Sequence, residues 1–267
     1  MFPVNEVLQG DCTRVLRRLP DSFVDLVVTD PPYGVRYQDS KGRTIANDDD
    51  PNRILGAFAD LHRVLKPNSI CISFYGWGQV DTFFRAWRRA GFRPVGHIVW
   101  AKDYASRTRY LHYRHEQAYV LAKGSPKMPE QPIDDIQPWV YSGNQDHPTQ
   151  KAVKILTPLV EAFSQPGQLV LDAFAGSGST LVAAALKGRR YLGIELEGDY
   201  CRIARERLAN VQRRLTHSHG VAVARGYNDR ELPPSRLTAS SAGCASKAKR
   251  ASLDSSKVHA PSMASDG

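Results

Sequence analysis

The stretch that most limits what this chain can build is Asp30-Pro31-Pro32-Tyr33. It comes after a short apolar run, Phe23-Val24-Asp25-Leu26-Val27-Val28, and precedes Gly34. Such a run reads as a strand that stops abruptly. Each proline removes a backbone N–H and fixes φ, so the chain at this point can neither continue a sheet nor begin a helix. The result is a stiff loop that presents a carboxylate, a fixed carbonyl and a ring face side by side. That set suits an amino group on a flat heterocycle, with two acceptors for its N–H bonds and one surface for stacking. A plain strand-to-loop turn around a buried tyrosine is the competing reading of these four residues alone.

The rest of the chain supplies a frame for that loop. With 267 residues, 42% of them hydrophobic, the chain can bury one substantial core, with or without a tail. Lys and Arg number 36 against 27 Asp and Glu, a formal charge of +9 that favours a polyanionic partner such as nucleic acid. Cys12, Cys71, Cys201 and Cys244 form no Cys-x-x-Cys and lie at no ligand spacing from a histidine, which argues against structural zinc. Free thiols in a reducing cytoplasm are the simplest account. The N-terminus lacks the charged start and apolar core of a secretory leader, and no apolar run approaches the ~20 residues of a membrane span.

Taken in order, Val7–Gln9 reads as a strand and Thr13 as the cap of a helix through Leu19. A second strand, Val24–Thr29, delivers the proline loop. Val35–Asp50 is polar, centred on Lys41-Gly42-Arg43. Asp50-Pro51 then starts a helix with apolar face Ile54, Leu55, Phe58, Leu61 and Leu65, stopped by Lys66-Pro67-Asn68. Further strands are expected at Ser69–Phe74, Val95–Ala101, Gln117–Leu121, Gln168–Leu171 and Arg190–Ile194. Further helices are expected at Gln79–Ala90, Ala152–Phe163, after Thr180 to Lys187, and over Asp199–Leu215. Lys123–Asp146 looks irregular. Alternating strands and helices imply an α/β fold, an open and mostly parallel sheet with helices on both faces. This domain covers residues 1–215. From 216 to 267 the chain is rich in Ser, Ala, Pro, Arg and Lys and reads as a disordered basic tail.

A second motif changes the weight of the first. Asp172-Ala173-Phe174-Ala175-Gly176-Ser177-Gly178-Ser179 lies between an apolar strand and a helix. Glycines there let a backbone approach a ligand closely, and a helix N-terminus offers free N–H groups. Glu195 ends the next strand, where an acid can bind both hydroxyls of a ribose. The spacing is neither that of a dinucleotide fingerprint nor that of a P-loop. Strand, acid, Phe-x-Gly-x-Gly, helix, strand and acid together favour a nucleoside cofactor site over a structural turn.

At this point the chain resembles the amino-group DNA methyltransferases. Phe174-Ala175-Gly176-Ser177-Gly178 looks like their S-adenosylmethionine motif, and Asp30-Pro31-Pro32-Tyr33 looks like their catalytic motif. His147-Pro148-Thr149-Gln150-Lys151 looks like the segment that precedes the cofactor motif. The catalytic motif comes first, the permuted order of the β subclass, and Gly10-Asp11-Cys12 and Tyr113-Arg114-His115-Glu116 fit the same pattern. The resemblance covers about residues 4–215. It implies a Rossmann-like class I methyltransferase sheet and direct methyl transfer from S-adenosylmethionine to an exocyclic amine of a base flipped out of double-stranded DNA. Adenine N6 is the expected acceptor, because the cytosine-N4 enzymes more often carry Ser in place of Asp30. Cytosine N4 is the rival acceptor. An RNA or protein-amide methyltransferase and a catalytically silent DNA-binding module of the same fold are more distant alternatives.

The resemblance also assigns roles. Asp30 and the Pro31 carbonyl would accept the two amine protons, Pro32 would hold the loop stiff, and Tyr33 would stack on the base. Asp172 and the glycine loop, with Gly176 and Gly178, would hold the methionine part of the cofactor, Glu195 would hold its ribose, and Phe174 would either contact its adenosine moiety or simply pack. Asp11 would meet its adenine amine, and Thr149 and Lys151 would reach its carboxylate. For DNA contact the mixed basic and aromatic stretch Lys102–His115 is favoured, through Lys102, Arg107, Arg109 and Arg114, with Lys41 and Arg43 on the earlier loop. Residues 123–146 are the short variable segment where target recognition could sit. The family leaves room for a homodimer and for a cognate restriction endonuclease. No metal and no membrane partner is expected.

Overall fold

The computed structural model describes residues 2–35, 42, 44, 48–49, 52–143 and 146–218. Lys41, Arg43 and the expected tail from residue 219 onward lie outside the described residues. An eight-stranded sheet organises the rest. Its strands are β1 (Glu6–Gln9), β2 (Val24–Thr29), β3 (Leu65–Phe74), β4 (Arg93–Ala101), β7 (His115–Lys123), β8 (Ile136–Pro138), β9 (Leu169–Asp172) and β10 (Arg190–Glu195), while β5 (Arg107–Thr108) and β6 (His112–Tyr113) make a separate hairpin. The order across the large sheet is β1-β10-β9-β2-β3-β7-β4-β8. Every neighbouring pair is parallel except β3–β7 and β7–β4. The mostly parallel sheet expected from the alternation is therefore present, with one antiparallel strand, β7, inserted near an edge.

Helices cover both faces. On one side α5 (Val153–Phe163), α6 (Ser179–Leu186) and α7 (Gly198–Ser218) pack on Leu26, Val28, Ile70, Ile72 and Val170. On the other, α1 (Cys12–Leu16), α3 (Ala57–Val64) and α4 (Val80–Arg89) pack on Val27, Cys71, Leu169 and Leu171. The alternation of neighbours between the two cores is the period-2 pleat at work. Strand β2, at the centre, is buried along its whole length, as a strand sandwiched between two helix layers must be. Asp25 is buried in this core, and its carboxylate is satisfied by Lys66 Nζ (2.6 Å) and the Leu169 N–H (2.8 Å), which ties β9 to β2.

Several local expectations are corrected. Asp11, not Thr13, caps α1, accepting from the Thr13 and Arg14 N–H groups, and the helix ends at Leu16. The helix expected from Pro51 breaks at Gly56 into α2 (Asn52–Leu55) and α3. Lys66-Pro67-Asn68 does not separate helix from strand but lies inside β3. Pro67 has no N–H to give a ladder, and the β2–β3 register jumps there, from Val24–Leu65 to Leu26–Ile70. Pro158 sits within α5 without ending it. The β5–β6 hairpin and the three-residue β8, in the stretch that reads as irregular, add to the expected elements. No helix among the described residues is long and apolar enough to cross a membrane.

Candidate active site

The two motifs, 142 residues apart by sequence, meet because their strands are neighbours. Leu26 pairs with Val170 and Val27 with Leu171, so Asp30, just past β2, lies beside Asp172 at the end of β9. The chain leaves β9 towards β10 and leaves β2 towards β3, on opposite sides. This is the topological switch point, outside the carboxyl ends of the strands, where open α/β sheets leave a crevice. A cleft of about 670 Å³ opens there, lined by the proline loop, the Asp172–Thr180 segment, His147–Lys151 and Glu195.

On the β9 side, Asp172 is buried and its Oδ1 accepts from the Thr29 hydroxyl (3.1 Å) and the Phe174 N–H (3.0 Å). Burial pushes its carboxyl up to about 7, against these hydrogen bonds. Glu195 closes β10. Its two oxygens accept from the Gly176 N–H (2.7 Å) and the Glu197 N–H (2.8 Å), and burial raises its carboxyl too. Phe174 is half-buried, packs on the core and lines the cleft. Gly176 adopts φ +49°, and a Cβ there would stand 3.4 Å from the His147 ring. Gly178 adopts φ +81°. It is not among the cleft residues, and a Cβ on it would come within 2.9 Å of Ala204 Cβ in α7. The missing Cβ lets α6 start close against α7.

Asp11 and Thr149 also line the cleft. Asp11 Oδ1 takes bonds from Thr13 and Arg14, which hold its carboxyl below the ordinary value, with the Thr13 side chain the main cause. The Thr149 N–H and hydroxyl lie 3.3 Å from His147 Nδ1, so this residue shapes its own segment. A residue that the motifs do not flag braces the loop from behind. Arg207 of α7 is buried and donates to the Ser177 carbonyl (2.8 Å), the Ser177 hydroxyl (3.0 Å) and the Ser179 hydroxyl (3.2 Å). Its only sequence signal is an arginine on the inward face of an otherwise basic helix.

On the β2 side, Asp30 is held at both oxygens. Tyr33 Oη donates to Oδ1 (2.5 Å) and Lys151 Nζ to Oδ2 (2.6 Å). Lys151 has a partner that the sequence does not reveal. Its side chain is 9% exposed, paired with Asp30 and seated over the Phe74 ring at 5.0 Å. Burial would push the ammonium down, but the Asp30 and Glu116 charges outweigh it and raise its pKa. Pro31 is buried, Pro32 half-buried, and both line the cleft. The Tyr33 ring meets Phe83 edge-on and backs against Gly76, where a Cβ would come within 3.2 Å of the ring.

The expected DNA contacts divide. Lys102 is buried, its Nζ is bonded to Glu116 (2.5 Å), and it sits over the Trp139 ring at 4.9 Å, lining the cleft. Arg109 and Arg114 are exposed. Arg107 begins β5, and its side chain lies outside the described residues, as do Lys41 and Arg43.

Comparison with known proteins identifies the family. A family model described as DNA methylase, of the N6/N4 type, matches residues 24–206. YubD of Escherichia coli (strain K12), named as a methylase, is 50% identical over 212 residues, covering 79% of this chain and 93% of its own length. Among solved structures, the M1.HpyAVI–SAM complex superposes with a TM-score of 0.61 at 22% identity, over 76% of this chain and 98% of that one. The PvuII DNA methyltransferase, described as cytosine-N4-specific, gives 0.61 at 17%, over 79% and 92%. Those two likenesses bear on the fold. With the family model spanning most of the folded region and half the aligned positions shared with YubD, this chain belongs to the DNA methylase family of N6/N4 amino-methylases.

Proposed function

We propose that this protein methylates the N6 amine of adenine in double-stranded DNA with S-adenosylmethionine as donor. The observation that carries the reading is the side-by-side placement of Asp30 and Asp172 at the ends of adjacent strands, opening into one cleft. The residues present fit a cationic nucleoside cofactor. Seven carboxylates line the cleft against two lysines, and both lysines are already paired with acids. A carboxyl pushed up to about 7 by burial, as Asp172 is, gains most from a positive partner. Asp172 would hold the methionine end, Glu195 the ribose and Gly176 the close-approaching backbone. When bound, the cofactor supplies a methyl group on a cationic sulfur, activated for direct displacement.

The chain's own part is positioning and charge stabilisation. An aryl-conjugated amine is a poor nucleophile because its lone pair is delocalised. An ionised carboxylate offers about four lone-pair sites, so Asp30 can keep its bonds to Tyr33 and Lys151 and still accept an amine proton. Asp30 and the Pro31 carbonyl then draw the amine towards a tetrahedral shape with its lone pair free. The acceptors matter most as positive charge builds on nitrogen, so the gain belongs to the transition state. The bond from Tyr33 to Asp30 fixes the ring relative to the carboxylate, so one residue sets both stacking face and acceptor. Stacking of the base on that ring is worth roughly 1–3 kcal/mol.

The test is nucleoside analysis of DNA treated with the protein and S-adenosylmethionine. N6-methyladenine is the expected product, and its formation should be lost in Asp30→Ala. If N4-methylcytosine alone forms, the adenine assignment fails and the cytosine reading replaces it. If neither forms in any DNA, the enzymatic reading fails as a whole.

A further inference from the structure

The β5–β6 hairpin has a construction that its surroundings do not explain. It leaves the cleft at Tyr104 and Ser106, both lining residues, and returns through Tyr113 and Arg114. Its base is fixed from several directions. Ser106 donates its N–H (2.9 Å) and hydroxyl (3.0 Å) to the Tyr113 carbonyl, the Lys102 N–H donates to the Arg114 carbonyl (2.8 Å), and Arg114 Nε donates to the Lys102 carbonyl (3.2 Å). Tyr113 stacks on Trp77, with centroids 5.6 Å apart and planes 15° off parallel. Trp77 comes directly after Gly76, which backs the Tyr33 ring, so the hairpin base is tied to the catalytic loop. The upper part is pinned by Thr108 Oγ1 on His112 Nδ1 (3.0 Å) and closed by a tight turn, the Arg109 N–H on the Leu111 carbonyl (3.1 Å).

On this braced support the apex is apolar and bare. Tyr110 is 98% exposed and Leu111 68%. A surface turn ordinarily carries polar residues, and an aromatic and a leucine held out together cost solvation unless something covers them. Their flanks, Arg109, His112 and Arg114, are exposed and suited to a polyanion. Four residue steps, through the two residues of β5 and the start of the turn, carry the chain from Ser106 to Tyr110, a reach of up to about 13 Å beyond the cleft rim. That exceeds the ~8 Å depth of a DNA groove, so the apex can touch the base stack while the arginines meet phosphates.

We infer that Tyr110 and Leu111 form a wedge that enters the DNA base stack and fills the space left by the target base when it turns into the cleft. The inference rests on the DNA methylase reading and adds a positioning element to it. Extruding a base sacrifices its stacking and pairing, and an apolar side chain inserted in its place replaces part of what is lost. The braced base supplies stiffness, since a floppy apex would lose its own entropy on insertion.

The experiment compares paired and unpaired targets. The methylated position is first located in plasmid DNA modified by the wild-type protein, and a short duplex carrying it is made in two forms. In one the target base is paired, and in the other it faces an abasic site and is already free to leave the stack. The double variant Tyr110→Ala/Leu111→Ala should lose about tenfold or more in kcat/KM on the paired duplex. It should stay within about threefold of wild type on the abasic one and keep wild-type S-adenosylmethionine affinity and thermal stability. Tyr110→Phe should retain activity on both, because the ring and not the hydroxyl does the work. Equal activity of variant and wild type on the paired duplex overturns the wedge. So does an equal loss on both duplexes, which would mark the hairpin as a general DNA grip. Absence of methyl transfer by the wild type itself would instead remove the reading on which the wedge rests.

Discussion

Breaking the Asp30–Lys151 pair separates two roles for the lysine that make opposite predictions. Lys151→Met keeps most of the aliphatic stem over Phe74 and removes the ammonium 2.6 Å from Asp30 Oδ2. Stranding one member of a fully buried pair costs about 3–5 kcal/mol. Asp30 retains 23% side-chain exposure, so water recovers part of the loss and about 2–3 kcal/mol is expected. Asp30→Asn strands the more deeply buried partner and should cost at least as much. The double variant Asp30→Asn/Lys151→Met leaves no stranded charge, so its cost should fall short of the sum of the singles by about 1.5 kcal/mol or more. Urea unfolding of the four proteins at neutral pH measures this. Cofactor titration supplies the second arm: a lysine that serves Asp30 leaves S-adenosylmethionine affinity within about threefold, whereas one that clamps its carboxylate would take tenfold or more with it. Additive single costs, or a large loss of cofactor affinity with stability unchanged, would refute the assignment of Lys151 to Asp30.

The glycine loop yields two further expected outcomes. Asp172 has a folded-state pKa near 7 against an ordinary 3.8, so between those values the native chain holds a proton that the unfolded chain has released, and this carboxyl erodes stability as pH rises from about 4 to about 7. The stability of Asp172→Asn relative to wild type should climb across that window, and pH-independent differences in urea midpoint would contradict the shift. Gly178→Ala combines a left-handed φ with a 2.9 Å approach to Ala204, so a loss of about 1–3 kcal/mol in unfolding free energy is expected; a neutral effect would show that α6 and α7 can part at no cost.

The chemistry was legible in the sequence because it depends on short, local signals. Two prolines after an apolar run dictate a rigid loop wherever it is placed. A glycine loop between strand and helix dictates close approach, and an acid at a strand end dictates a carboxylate at the sheet's edge. The α/β class came from alternation alone, since strands buried on both faces need helices on both sides. Local signals fail where pairing partners are distant. Pro67 sits in β3 because the register jump spares its missing N–H, which no window around Lys66-Pro67-Asn68 reveals. Asp11 outcompeted Thr13 as a cap through a choice between two good capping residues two positions apart.

Lys151 shows the same limit at the site. Its motif context pointed to a cofactor, but the adjacency of β2 and the β9 neighbourhood places a carboxylate 121 residues away within 2.6 Å of it, and a buried ammonium takes the nearest anion. Lys102 meets Glu116 in the same way, across the paired strands β4 and β7. Arg207 carried no motif, and only the packing of α7 against the glycine loop gave it a task. The sequence by itself determined which groups this protein has for its chemistry. The tertiary structure decided which charges meet, because ion pairing in a buried cleft depends on through-space distance, and that distance is set by how the strands pair and by how the segment before α5 packs against the end of β2.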